Sequence, residues 1–341
     1  MRNTYLLSLS FCTATALISI ILPIILILLS NTSFPEISLS SPVSSSFKLP
    51  TSIPQVSTEM HHFSKLLKDK LAEASSGNSA TKSHQTPSAS GATGSTLPKI
   101  ILFGDSLTEW AFNTPEGFGS VLTRRWEGRA VVRNCGKAAQ TSETLKTLFS
   151  QTIHSVSSQP QPPPLLYIIF LGANDAVLPP GGQHVPLPTF ESNLRHYVSI
   201  ILTTPAYSTT KIVLVTPPPI NVRACSAHAK REDERKGQGF RTWDSKRTYA
   251  RKVMDVARDF EARGLGDRVA GYDLWERLVG WECEKMGARD EERLPGCGLP
   301  GAREFENGIF TDRLHFGEKG YKIVTDGLLE LLAGKWPEVF G

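Results

Sequence analysis

Short apolar runs in this chain each stop at a polar, glycine or proline turn, and helical patterns fill the gaps between them. Residues 99–103, 130–134, 165–171, 211–216 and 268–274 read as strands of this kind. Strands alternating with helices predict an α/β fold whose sheet is parallel and covered on both faces. In such a sheet, ligands gather beyond the carboxyl ends of the strands. The first run ends at Gly104-Asp105-Ser106, which puts Ser106 at that edge. A serine becomes a nucleophile only with a base beside it, and the question for the rest of the chain is whether it supplies one.

Between the strands, apolar spacing predicts helices over 117–126 (Phe118, Val121, Leu122 and Trp126 on one face), from Ser142 onward (Leu145, Leu148, Ile153, Val156), over 189–202, over 249–263 (Val253, Val256, Ala257, Phe260) and over 318–336. Residues 222–246 are polar, basic and patternless, and read as an insertion loop with a solvated surface. Binding to anionic lipid headgroups is the alternative for that surface. A second irregular stretch follows the last strand through Gly301.

The chain before residue 97 has a different character. Residues 5–29 are almost continuously apolar, and a membrane-spanning helix needs roughly 20 such residues. A signal peptide has an apolar core of about 7–15 residues and a small-residue cleavage site. This run is longer and lacks a good site, so residues 1–30 are expected to form an uncleaved signal anchor, with cleavage and secretion as the alternative. Arg2 precedes the run and no cation follows until Lys48, which predicts a cytosolic N-terminus and a lumenal or extracellular remainder. A sequon at Asn31 would face the same side. Residues 31–96, rich in Ser, Thr, Pro and Gly, predict a disordered stalk. Within it residues 60–74 have helical spacing, and His61, His62 and His84 read as solvated.

The net charge of +4 is too small to argue for nucleic acid. No CxxC spacing joins the five cysteines, which leaves no zinc pattern. Cys283 and Cys297 flank a loop-like stretch, and either a disulfide or two free thiols fits them. No P-loop or complete dinucleotide fingerprint is present.

Polar residues gather at three strand ends, Asp105-Ser106, Asn134 to Gly136 and Gly172 to Asp175, and again at Asp312 and His315 before the last helix. In a turn, a carboxylate three residues before a histidine reaches its Nδ1–H and leaves Nε2 free to take a proton from a serine. Acyl transfer also needs donors for an oxyanion, each worth about 3–4 kcal/mol. The Ser106 and Gly136 backbone N–H groups and the Asn174 amide are candidates. Each has a plain alternative: Gly136 as a turn residue, Asn174-Asp175 as a helix cap. Asp105 reads as a hydrogen-bond partner behind the nucleophile rather than a base.

Gly104-Asp105-Ser106-Leu107, Gly136, Gly172-x-Asn174-Asp175 and Asp312-x-x-His315 together resemble, in order and spacing, the blocks of the SGNH (GDSL) hydrolase family. More narrowly, residues 103–110, Val132-x-Asn134-x-Gly136, residues 170–176, Gln183-His184-Val185-Pro186-Leu187 and Thr216-Pro217-Pro218-Pro219 resemble the isoamyl acetate-hydrolysing esterases. The resemblance covers residues 97–341. It implies a three-layer α/β/α, flavodoxin-like sandwich and a serine esterase acting on small carboxylic esters without metal or other cofactor. It further implies Ser106 as nucleophile, His315 as base, Asp312 as its orienter, and Ser106, Gly136 and Asn174 as the oxyanion hole. A carbohydrate O-acetylesterase or a lysophospholipase would use the same groups, and a catalytically silent membrane-tethered binding module is the rival of another class. His184 either shapes the pocket or is a structural loop residue. The subgroup usually has glycine where this chain has Arg313, which places a cation near the site entrance. The stretch after Gly136 and the regions 223–252 and 282–303 also depart from the subgroup, leaving the acyl and alcohol preferences open.

Overall fold

The strands β1 (Lys99–Gly104), β2 (Val131–Gly136), β3 (Leu166–Phe170), β4 (Lys211–Val215) and β5 (Val269–Tyr272) form one parallel sheet of five in the order β2-β1-β3-β4-β5. This computed structural model describes residues 97–158, 160–222 and 240–341. The helices are α1 (Ser106–Glu109), α2 (Phe118–Arg125), α3 (Lys146–Ser157), α4 (Leu187–Thr203), α5 (Trp243–Phe260), α6 (Leu274–Met286), α7 (Glu318–Lys335) and α8 (Pro337–Phe340). The expected anchor, stalk, Asn31 sequon, stalk histidines and most of the basic insertion lie outside the described residues. No helix among the described residues is long and apolar enough to cross a membrane.

Successive strand residues feed two separate cores, as the two-residue period of a strand requires. Ile100, Leu102, Ile168, Phe170 and Val213 pack with residues of α2, α6 and α7 on one face. Ile101, Phe103, Tyr167, Ile169 and Leu214 pack with residues of α3, α4 and α5 on the other. The expected three-layer sandwich is the one observed. Ile100 to Phe103 are wholly buried, and at about 1.5–3 kcal/mol per large apolar side chain these central strands carry much of the stability.

The strand register sets the site. Gly104 lies level with Gly136 on one side and Phe170 on the other, and Phe170 lies level with Val215. The turns that follow therefore open on one edge. In this strand order the crossovers diverge between β1 and β3, the crevice where doubly wound sheets bind ligands. Ser106 follows β1 and Asn174 follows β3, so the two lie on either side of it.

The second irregular stretch is in fact opened by a helix, α6. Asp273 caps it, accepting the Glu276 N–H at 3.0 Å, and Gly287 ends it with a φ of +66°. An N-cap followed three residues on by Glu, and a glycine just past the end, are sequence signals of a helix. The basic loop likewise ends sooner than expected. Thr242 caps α5, accepting the Ser245 N–H at 3.1 Å. Ser142 starts no helix: residues 142–145 form turns, α3 begins only at Lys146, and the Ser142 N–H donates to Asp175 at 2.9 Å. Cys283 and Cys297 are separate thiols.

Candidate active site

Ser106 is the first residue of α1, and the Asp105 carboxylate caps that turn by accepting the Leu107 N–H at 3.0 Å. The turn presses so closely on β2 that a Cβ on Gly136 would lie 2.2 Å from the Glu109 nitrogen. Glycine is required there by close approach. Asn134 fastens the same contact: its Nδ2 donates to the Glu109 carbonyl at 2.9 Å, and its Oδ1 accepts the Gly136 N–H at 2.9 Å. The Gly136 donor is thus already engaged.

The histidine arrives on a loop that closes on itself. Phe310 and Phe316 form an antiparallel bridge. The Thr311 N–H donates to the His315 carbonyl at 2.8 Å, and the Gly317 N–H to the Ile309 carbonyl at 2.9 Å. Inside that pinch, Asp312 Oδ1 accepts the N–H groups of Leu314 and His315 at 3.1 and 2.7 Å, while Oδ2 meets His315 Nδ1 at 2.6 Å. Burial works against ionisation of Asp312, yet these hydrogen bonds outweigh it and hold the carboxyl below its ordinary value. His315 Nε2 lies 3.0 Å from Ser106 Oγ. The Trp110 ring packs on the imidazole with centroids 4.3 Å apart. A serine, an imidazole and an orienting carboxylate in this chain of contacts make a unit that can pass the hydroxyl proton to nitrogen.

Arg313 carries a φ of +72°, a left-handed conformation that costs a side-chain-bearing residue about 1–2 kcal/mol. Its carbonyl accepts the Asn221 N–H at 2.9 Å. Asn221 ends the buried run Thr216-Pro217-Pro218-Pro219-Ile220. Three prolines there bring no N–H groups needing partners in the interior. Among the described residues the Arg313 side chain makes no ion pair. His184 does not join the triad. Its Nδ1 is tied to the Val177 carbonyl at 2.6 Å.

Asn174 is 4% exposed. Its Nδ2 donates to the Gln140 carbonyl at 2.8 Å, and its Oδ1 accepts from Arg241 Nη2 at 3.1 Å. No helix begins here, so the capping alternative fails. The same Nη2 contacts Gln183 Oε1 at 2.5 Å, and Gln183 Nε2 donates to the Ala139 carbonyl at 2.7 Å.

Behind the crevice lies a buried charged cluster that the sequence reading assigned in part to a solvated loop. Lys246 is fully buried and donates to the Ala173 carbonyl at 2.6 Å. Burial pushes its ammonium down, and the Arg241 charge adds to that. Asp105 is pushed up by burial, partly offset by the Leu107 N–H and Lys246. Asp175, also buried, is raised to about 6 by burial against its hydrogen bonds with Ser142. Lys246 had a sequence signal: with Trp243, Ala250 and Val253 it shares one helical face. Arg241 had none.

The GDSL-like lipase/acylhydrolase family model matches residues 100–328. A GDSL esterase/lipase of Arabidopsis thaliana is 27% identical over 245 residues, 71% of this chain and 66% of that protein. The isoamyl acetate-hydrolyzing esterase 1 homolog of Bos taurus is 31% identical over 249 residues, 72% of this chain and 86% of that protein. The isoamyl acetate-hydrolyzing esterase of Saccharomyces cerevisiae is 27% identical over 252 residues, 70% of this chain and 88% of that one.

Proposed function

Since this chain belongs to the GDSL lipase/acylhydrolase family and is a carboxylic ester hydrolase, we propose that it cleaves short-chain, acetate-type esters through an acyl-enzyme on Ser106. The 3.0 Å contact from Ser106 Oγ to His315 Nε2, with Asp312 at 2.6 Å behind the imidazole, carries this reading. The small acyl group is taken from the isoamyl acetate-hydrolyzing relatives.

The Ser106 hydroxyl gives its proton to His315 Nε2 as Oγ bonds to the ester carbonyl carbon. The carbonyl oxygen becomes an oxyanion. The Ser106 N–H and the second Nδ2 hydrogen of Asn174 serve it, and the Gly136 N–H contributes by sharing with Asn134. Collapse breaks the bond to the alcohol, which leaves with the proton from His315. Water then gives a proton to His315, attacks the acyl carbon, and the acid departs as Ser106 regains its hydrogen. Asp312 stabilises the imidazolium in both halves.

The proposal extends to residues 1–30 as a retained anchor, residues 31–96 as a tether and residues 97–341 as the catalytic domain on the lumenal or extracellular side. Glycan addition at Asn31, or at a sequon engineered in the tether, tests the side. Full accessibility to cytosolic protease excludes it.

For the chemistry, the full chain in detergent is compared with Ser106→Ala on p-nitrophenyl acetate and on longer acyl esters, acetylated sugars and lysolipid. The expected result is acetyl-ester turnover with loss in the variant, and labelling by a fluorophosphonate only where Ser106 is present. Equal turnover by both proteins overturns the nucleophile assignment. Faster turnover of acetylated sugars or lysolipid overturns the substrate class.

A further inference from the structure

Resting on the reading of Ser106 as nucleophile and Asn174 as oxyanion donor, we infer that Arg241 is a positioning residue, holding the Asn174 amide by its oxygen so that Nδ2 faces the acyl carbonyl. A primary amide has nearly the same shape either way round, and only its partners decide which end points where. A guanidinium can only donate, so Arg241 Nη2 at 3.1 Å selects Oδ1. The Gln140 carbonyl can only accept, so it selects Nδ2 at 2.8 Å. One Nδ2 hydrogen is left, and the orientation of the amide is no longer free.

Arg241 is itself fixed. Gln183 Oε1 shares its Nη2, and Gln183 is anchored in turn to the Ala139 carbonyl. The backbone of the same turn is gripped from the start of α5, where Lys246 Nζ donates to the Ala173 carbonyl and Ser245 Oγ to the Ala176 carbonyl at 2.7 Å. Lysine and serine therefore hold the turn, and arginine holds the side chain that projects from it. Among the described residues the buried Arg241 Nε has no hydrogen-bond partner, so the hydrogen bonds of this side chain there come from Nη2, on Asn174 and Gln183. A charged donor on Oδ1 also polarises the amide and strengthens the N–H bonds it offers.

A double-mutant cycle tests this, using the full chain in detergent and p-nitrophenyl acetate. Arg241→Met should lower kcat roughly tenfold, less than the about 100-fold expected for losing an oxyanion donor outright, with KM nearly unchanged. In an Asn174→Ala background the same change should have almost no further effect, since the amide it acts through is gone. Arg241→Lys retains one donor and should fall between wild type and Arg241→Met. Should Arg241→Met fail to fold, Arg241→Lys supplies the same cycle. Equal losses with and without Asn174, or a loss confined to KM, overturn the inference while leaving the esterase reading intact. Absence of Ser106-dependent turnover in the wild type removes both.

Discussion

Asp312 holds His315 at two points, accepting its backbone N–H at 2.7 Å through Oδ1 and meeting its ring Nδ1 at 2.6 Å through Oδ2. The two contacts differ in what they can tolerate. An asparagine at this position still accepts the backbone N–H, but an amide NH₂ toward Nδ1 favours the tautomer that places the proton on Nε2, where the serine needs a base. Asp312→Asn should therefore fold normally yet lose on the order of 10³–10⁴ in kcat. Turnover of p-nitrophenyl acetate beside a thermal melt checks both halves, and a fall in melting temperature matching the activity loss would count against the tautomer argument.

Arg313 carries a backbone cost that glycine would avoid. Arg313→Gly relieves about 1–2 kcal/mol of left-handed strain and returns about 0.4–1 kcal/mol through a looser unfolded chain. A net gain between about 0 and about 1.6 kcal/mol is expected in urea unfolding. Turnover of a neutral acetate ester should be nearly unchanged, because the Asn221 N–H bonds to the carbonyl of residue 313. A selective loss with anionic esters would show that the cation selects substrate.

Asp175 predicts a pH dependence of stability. Its folded value, about 6, lies above the ordinary 3.8, so the native state retains a proton that the unfolded chain releases. The resulting stabilisation is complete below about pH 4 and is lost as pH rises through about 6. The shift corresponds to a ceiling of roughly 3 kcal/mol. Asp175→Asn keeps an acceptor for the Ser142 N–H and cannot ionise. Its stability relative to wild type should increase between pH 4.5 and pH 7 in urea titrations, and a difference that stays flat would contradict the assignment.

Gly136→Ala should be the most damaging small change. Its Cβ meets the Glu109 nitrogen at 2.2 Å and Glu109 Cα at 2.6 Å, both backbone atoms, so α1 must shift and carry Ser106 with it. Overpacking of this kind costs typically 1–3 kcal/mol. Loss of fluorophosphonate labelling in a protein that still melts cooperatively is the expected signature, and normal labelling would contradict the close approach.

How much of this was legible in the sequence depended on distance along the chain. Ser106 was marked by its strand-to-turn boundary, and the Asp312–His315 contact by a spacing of three residues inside one turn. The sheet and its two faces followed from strand periodicity. Arg241 was not legible, because its partners Asn174 and Gln183 come from distant turns that only the folded sheet edge brings together. Lys246 is obscured differently: its charge suggests solvent exposure, although its helical face is apolar. The α6 helix is marked at both ends by Asp273, Glu276 and Gly287, but the charged residues that follow it give the whole stretch an irregular pattern. Asn134 captures the Gly136 N–H from two residues away, a local competition that a motif match alone does not reveal.

The bridge between Phe310 and Phe316 makes the segment carrying Asp312 and His315 a closed ring of contacts, held to its surroundings by the Asn221 hydrogen bond and by the rings of Trp110, Phe305 and Tyr321. The orientation of the imidazole is set inside the ring by Asp312, whereas reach toward Ser106 is set by whatever the ring rests on. These two properties can then vary separately. Changes in the proline run or at the start of α7 would slide the base toward or away from the hydroxyl while Asp312 keeps its hold on the imidazole, so substitutions there could adjust turnover through a single coordinate.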